Sequence, residues 1–535
     1  MLVASWTRRI EASALRSVNA ARLTATPRSH SVRAMRDGIA WSSDLRAIAG
    51  RFGPRIAVSD GITQLSYTEL AARAHGLAQH LLTTGTDPNE PVASLLPNGP
   101  DAVVASYAIT IAGLAEVPIN VAATDAELGW YATLARFRRI VAPRDQADRL
   151  RALGLEPIAI EDAGESDATL PPVPAEAWGR LAFTSGTTGK PKAIVHSHGG
   201  RWTAHLLQRA VMPFAPQPGD RILLMTPFPH GASLLTYAWL EAGGEVVLLP
   251  GVVGERMAPL LEAGALSAVF APPTVLAKLL SLFPGRRFDG VRTIFCGTQA
   301  LLPDLHARAT DAFGAVVRVT YGMSECFNPI TILPPEEVAG VMAETDGASG
   351  ACVGWPGPGV EIAIDAESGE ISLRARQLYA GIITADGFNP RPPGGWHRTG
   401  DLGRIDAQGR LWLMGRAADV IKTGGYRVHP AEIETVLEPA AQGRALAVVT
   451  LPSSYWGEVI FCVAEDAPDG WDSEAATLAE QLAKYKRPRA YLTLAALPRN
   501  AQGKLVRARL REVILESHSF EDGPHPRLST KPGVE

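Results

Sequence analysis

The chain has 535 residues, 46% hydrophobic and 20% charged, with a formal net charge of −4. This is ordinary globular composition, with length for two or more domains and no basic excess of the kind that nucleic-acid binding requires. Cys296, Cys326, Cys352 and Cys462 lie far apart without a CxxC pair, which argues against a disulfide framework or a zinc site and fits a reducing, cytoplasmic setting.

Residues 1–36 carry seven arginines, several serines and only Glu11 as an acid. The composition resembles a mitochondrial transit peptide. The alternative is a disordered extension preceding a start at Met35, which the alanine- and arginine-rich, lysine-poor style favours. From about residue 55, strands and helices alternate. "RIAVSDG" and "TQLSY" read as short strands joined by a turn. Leu70, Ala74, Leu77 and Leu81 recur at helical spacing, with Thr68 as N-cap and Gly85 after the end. "PVASLLP" reads as a buried strand. The apolar run 102–115, between Asp101 and Glu116, is too short to cross a bilayer and reads as a buried helix.

"DRILLMTP", "GEVVLLPG", "LSAVFAPP", "VRTIFCGT" and "AVVRVTYG" follow, each a short apolar run ending in Gly, Pro or Thr. With helices between them they predict an α/β fold of mixed sheets covered by helices, in which ligands gather beyond the strand ends. Pro and Gly become dense after residue 385, and a smaller α+β region follows. The expected organisation is a multi-layer domain over 37–416, a small domain over 417–515 and a disordered tail over 516–535.

Residues 184–192, "TSGTTGKPK", place hydroxyls, glycines and lysines after the apolar "LAF". Glycines let backbone approach a ligand, and hydroxyls, amides and lysines suit a polyphosphate. The stretch is not a Walker loop, since Gly186 and Gly189 are separated by only two residues and Pro191 follows Lys190. A polar surface loop is the plain alternative. Further stretches stand out: "YGMSE" at 321–325, "HRTGDLGRI" at 397–405, "GRAADVIKTGGYRV" from 415, and "PRNAQGKLVR" at 498–507. Each alone has an ordinary reading as turn, packing or solvated surface.

In this order and spacing they resemble the adenylate-forming superfamily of acyl-CoA synthetases, luciferase-like enzymes and peptide-synthetase adenylation domains, over about residues 45–511. The resemblance implies that a carboxylate is joined to AMP with loss of pyrophosphate and then passed to a thiol, with a small, mobile C-terminal α+β domain serving both steps. It implies that Thr184, Ser185, Gly186, Thr187, Thr188, Gly189 and Lys192 hold phosphates of ATP, and that Tyr321 and Gly322 lie by adenine. Ser324 would reach phosphate, Glu325 would bind Mg²⁺, Asp401 and Arg416 would hold the ribose, and Lys504 would bridge the attacking carboxylate and the α-phosphate. Catalysis would then rest on Lys504, Glu325 and Thr184. Gly424, Gly425 and Tyr426 would line a passage for CoA. Where the family usually has Asp or Lys at the hinge, this chain has Ala418.

The acid pocket would include His230, Gly297 and Met323, with Thr298 and Gln299 as polar members beside the nucleotide. The segment 227–235 holds no acid to pair an α-ammonium, which argues against α-amino acids. The leading expectation is an ATP-dependent acid–CoA ligase. An enzyme loading a separate acyl carrier protein, or a silent nucleotide-binding protein on the same scaffold, are the alternatives.

Overall fold

The computed structural model describes residues 38–84, 90–184, 192–297, 299–344, 350–499 and 505–531, without the side chains of His230 and Arg427. The extension 1–36 lies outside them.

Two large sheets share the first part of the chain. One has eight strands in the order Gly387–Pro390, Gly381–Thr384, Lys192–Ser197, Trp178–Thr184, Glu116–Pro118, Val92–Ser94, Arg139–Ala142 and Glu156–Ala159. The other has seven: Val317–Thr320, Thr293–Gly297, Ala268–Phe270, Arg221–Leu224, Glu245–Leu248, Ile56–Ser59 and Gln64–Ser66. The five apolar runs that the sequence marks as strands are the first five here, all mutually parallel. Their near-continuous apolar character follows from burial on both faces.

The helix Pro100–Ile111 lies between the sheets, touching Val92–Ser94 and Glu116–Pro118 of one and Ile56–Ser59 of the other. Every residue in it but Asp101 is buried, as expected for a helix apolar on all sides. It packs on Tyr67–Thr83, whose Leu70, Leu77 and Leu81 are at most 1% exposed; each such side chain stabilises by about 1.5–3 kcal/mol. That helix is capped by Ser66 rather than Thr68. The Ser66 hydroxyl accepts from the Glu69 amide, while the Glu69 carboxylate accepts from the Ser66 amide. This reciprocal pair satisfies two free donors at once, which Thr68 inside the helix cannot do.

A six-stranded antiparallel sheet, running from Thr331–Ile332 through Ala351–Pro356, Leu411–Arg416, His397–Ile405 and Glu370–Arg374 to Glu361–Ile364, completes this part. After the short helical turn Ala417–Asp419 a separate sheet begins, built on Ile421–Thr423, Tyr426–Val428, Leu446–Ser453, Gly457–Glu465 and Tyr491–Leu494.

The expected disordered tail is ordered through residue 531. The last helix runs Arg507–Ser517, past the expected boundary at 515, and a hairpin of His518–Glu521 and Arg527–Thr530 follows. Two apolar residues explain it. Phe520 and Leu528 pack on the small unit's second core, with Phe520 edge-on to Phe461. Asp522 at the turn accepts from the hydroxyls of Ser453 and Ser454.

Candidate active site

The stretch 184–192 is closed by its own stems. Thr184 ends one strand and pairs across an antiparallel ladder with Lys192, which starts the next. The Thr184 Oγ1 is buried and has no hydrogen-bond partner among the described residues, a state that calls for a ligand atom or water. Lys192 Nζ lies 3.5 Å from the Glu325 carboxylate. Ser185, Gly186, Thr187, Thr188 and Gly189 lie outside the described residues, as do Thr298, Lys504 and the side chain of His230.

The segment 321–325 follows the strand Val317–Thr320 and is shaped from three sides. The Tyr321 amide donates to Thr331 Oγ1 at 3.0 Å. The Tyr379 amide donates to the Glu325 carbonyl at 2.9 Å. His196 Nε2 lies 2.9 Å from the Ser324 carbonyl, and its ring stacks on Phe327. Burial pushes the His196 pKa down to about 3, so the ring is neutral and Nε2–H is the donor. Gly322 has the Asn328 side chain 3.3 Å from where a Cβ would stand. These contacts turn the Glu325 carboxylate toward Lys192.

Asp401 arrives from the third sheet, directly opposite Arg416 in the ladder. Arg416 Nε is 3.1 Å from one carboxylate oxygen, and the Tyr321 hydroxyl donates to the other. Burial first, then the Asp401 charge, raise the Tyr321 pKa well above its ordinary value, so the phenol remains a donor. Tyr321, Asp401 and Arg416 thus meet, as do Lys192 and Glu325, with Thr184 opposite Lys192 in its ladder.

Three further residues belong to the site, and the sequence reading missed them. His397 is neighbour to the Lys192–Glu325 pair: burial lowers its pKa, Glu325 opposes that and Lys192 adds to it. Its Nδ1 is 3.4 Å from the Tyr379 hydroxyl, and its Nε2 is buried without a partner among the described residues. It opens the "HRTGDLGR" stretch, where attention went to Asp401. Asn98 donates to the carbonyls of Thr226 and Leu249 and accepts from the Phe228 amide, while Arg180 donates to the Pro229 carbonyl. Together they hold the π-helical turn Phe228–Ala232, which carries His230. Arg180 and Arg201 share the fully buried Glu116 at 3.3 and 3.2 Å.

Other expected members have local reasons of their own. A Cβ on Gly297 would stand 2.6 Å from the Thr320 carbonyl, so strand packing alone requires glycine there. Met323 packs against the core under the seven-stranded sheet, and Gln299 is partly buried just beyond Gly297. Gly424 and Gly425 form the two-residue turn between Ile421–Thr423 and Tyr426–Val428, with φ of +56° and +83°. That turn favours glycine irrespective of any passage. Tyr426 is half exposed and stacks on Tyr485 at 4.0 Å.

Among the described residues no cluster of three His, Cys, Asp or Glu side chains could hold a metal alone. A single carboxylate, Glu325, paired with Lys192 suits Mg²⁺, which takes few protein ligands and completes its shell with phosphate oxygens and water. No helix among these residues is long and apolar enough to cross a membrane, and all four cysteines are buried and unpaired.

The chain is similar to curated CoA ligases along most of its length. A 2-succinylbenzoate–CoA ligase of Listeria monocytogenes is 28% identical over 84% of this chain and 94% of its own. A Feruloyl-CoA synthase of Amycolatopsis sp. is 28% identical over 85% and 95%. Among solved structures, ATP-bound MatB of Rhodopseudomonas palustris superposes with a TM-score of 0.75 at 25% identity, over 88% of this chain and 98% of that one. O-succinylbenzoate coenzyme A synthetase of Bacillus subtilis, in complex with ATP and magnesium ion, gives 0.76 at 25% identity, over 88% and 99%. The family model described as AMP-binding enzyme matches residues 45–382, which span both Thr184 and Glu325, and the chain belongs to that family.

Proposed function

We propose that the protein is an ATP-dependent carboxylic acid–CoA ligase, which converts an organic acid to acyl-AMP with release of pyrophosphate and then transfers the acyl group to the CoA thiol. The observation that carries this reading is the Lys192–Glu325 pair at the stem of the hydroxyl-rich loop. A 3.5 Å ion pair, with a buried Thr184 hydroxyl opposite Lys192 in the ladder that has no partner among the described residues, is loosely satisfied. It is poised to open, the ammonium onto phosphate and the carboxylate onto Mg²⁺. The relatives named as CoA ligases support CoA as the acceptor.

On this reading the loop 184–192 and Ser324 receive the phosphates, Tyr321 flanks adenine, and Asp401 with Arg416 holds the ribose. Mg²⁺ bound at Glu325 would neutralise phosphate charge. Catalysis is then mostly orientation and electrostatics. A carboxylate cannot expel oxide, whereas the mixed anhydride expels AMP. Lys504 would sit where charge develops in the first step, and the Gly424–Gly425 turn with Tyr426 would guide the thiol in the second.

The test is a panel of carboxylic acids assayed for ATP-dependent pyrophosphate release, with and without CoA. Acid-dependent release together with CoA thioester is expected. Release without thioester would move the acceptor to a carrier-protein thiol, and ATP binding without release for any acid would overturn the ligase reading.

A further inference from the structure

Beside the strand Val317–Thr320 lies a cavity of about 30 Å³, room for a short polar group, since one water needs roughly 10–15 Å³. Three parallel strands line it in register. Phe270 stands opposite Phe295, and Phe295 opposite Arg318. The row reads aromatic, aromatic, guanidinium. Arg318 is only 8% exposed and makes no hydrogen bond or ion pair with any described residue. The charge that acts on it is Glu336, an exposed residue in the first turn of Pro335–Glu344.

Two more polar side chains face the same space. Gln208, 6% exposed, lines it from the helix His198–Ala210 and has no hydrogen-bond partner among the described residues. Asn328 lines it too, and its Oδ1 is buried without a partner among the described residues. A buried guanidinium with no hydrogen-bonded anion is costly, and here it shares a cavity with two amides that also lack a partner among the described residues. Arg318 precedes Thr320 by two residues, so it is about 6–7 Å back from the strand end, where Thr320 lines the same cavity.

We infer that the acid carries a second carboxylate, and that Arg318 binds it at the floor of the pocket while the first carboxylate is activated at the strand ends. This rests on the ligase reading above. The planar guanidinium takes a carboxylate through two parallel hydrogen bonds, and the amides of Gln208 and Asn328 complete its shell. The small volume selects a short diacid.

The experiment compares diacids of three to six carbons with the monoacids of equal length and with the monomethyl esters of the diacids, by kcat/KM for acid-dependent pyrophosphate release. The wild type should prefer one diacid over its monoacid and its half-ester by on the order of a hundredfold or more. Arg318→Met should erase that preference by raising the KM for the diacid, leaving the KM for ATP and turnover of the monoacid unchanged. Arg318→Lys should retain part of the preference. Should Arg318→Met fail to fold, Arg318→Gln and Arg318→Lys carry the same ratio measurement. A monoacid as best substrate, or an unchanged diacid-to-monoacid ratio in the variants, overturns the assignment of Arg318. If the wild type turns over no acid at all, it is the ligase reading that fails, and the inference falls with it.

Discussion

Exchanging Glu325 for Gln separates folding from chemistry at the centre of the site. With 3.5 Å between Lys192 and Glu325, the raw attraction is about 5 kcal/mol at an effective dielectric of ~20. Lys192 is 35% exposed, however, and solvent and side-chain ordering reduce the net contribution to about 1 kcal/mol or less. The variant keeps the shape and hydrogen-bonding capacity of the side chain, and the Glu325 carbonyl still accepts from Tyr379. Its Tm should therefore fall by no more than about 2–4 °C. Its effect on adenylation should be far larger. Loss of a charge preorganised for the transition state costs about 3–4 kcal/mol, or on the order of a hundred- to thousandfold in kcat/KM, and the apparent Mg²⁺ requirement should rise. The assay is acid-dependent pyrophosphate release across a Mg²⁺ titration, with thermal melts of the same preparations. Unchanged turnover would refute the reasoning, and so would a loss of activity accompanied by several kcal/mol of lost stability.

Acidification tests His196, whose pKa burial pushes down to about 3. The neutral ring is favoured by folding, so its contribution is complete above the ordinary value near 6.5 and is lost as pH falls from there toward 3, at about 1.4 kcal/mol per pH unit; His198, also pushed down to about 3, adds its own proton to the wild-type slope, and denaturant unfolding between about pH 6 and 4 should show that slope reduced by about one proton in His196→Gln. The two half-reactions should separate genetically. Lys504→Ala should lower acyl-AMP formation on the order of a hundred- to thousandfold yet still convert supplied acyl-AMP and CoA to thioester, whereas Tyr426→Ala should keep pyrophosphate exchange and lose thioester, and parallel losses would exclude two orientations of the small domain. Gly425 is the poorer probe, because any side chain at φ +83° strains the turn. Phe520→Ala should destabilise the small unit by about 1–2 kcal/mol, read by denaturant unfolding followed through a signal from that unit, with adenylation little changed.

What the sequence made legible follows from how local each signal is. The five parallel strands were readable because a strand buried on both faces needs an uninterrupted apolar run, and the main site stretches because glycine, hydroxyl and charge seldom collect beside such runs. The supports of the site were not readable in this way. His196, Asn98, Arg180 and Thr331 act through partners that are 10 to 130 positions away in the chain, and nothing in their neighbourhoods distinguishes them. Arg318 was hidden inside a strand run that otherwise reads as core. Two misses were local. Ser66 and Glu69 hold the spacing of a capping box, yet Thr68 lay nearer the first apolar residue of the helix. The tail has only two large apolar residues, Phe520 and Leu528, too few to register as a pattern, and the partners of Asp522 lie 68 and 69 positions away.

The element after the loop 184–192 is a strand, Lys192–Ser197, running back antiparallel to the one before it. In many phosphate sites the loop opens directly into a helix, and the aligned peptide dipoles of that helix supply about half a positive charge at no cost in side chains. Here the chain turns back into the sheet, and sheets have almost no net dipole. On the proposed reading, the counter-charge for the phosphates would therefore come from groups that can be exchanged one at a time: lysine side chains and a metal ion. Affinity for the nucleotide in such a design is open to adjustment by single substitutions and by salt, whereas a helix terminus would have built it into the backbone.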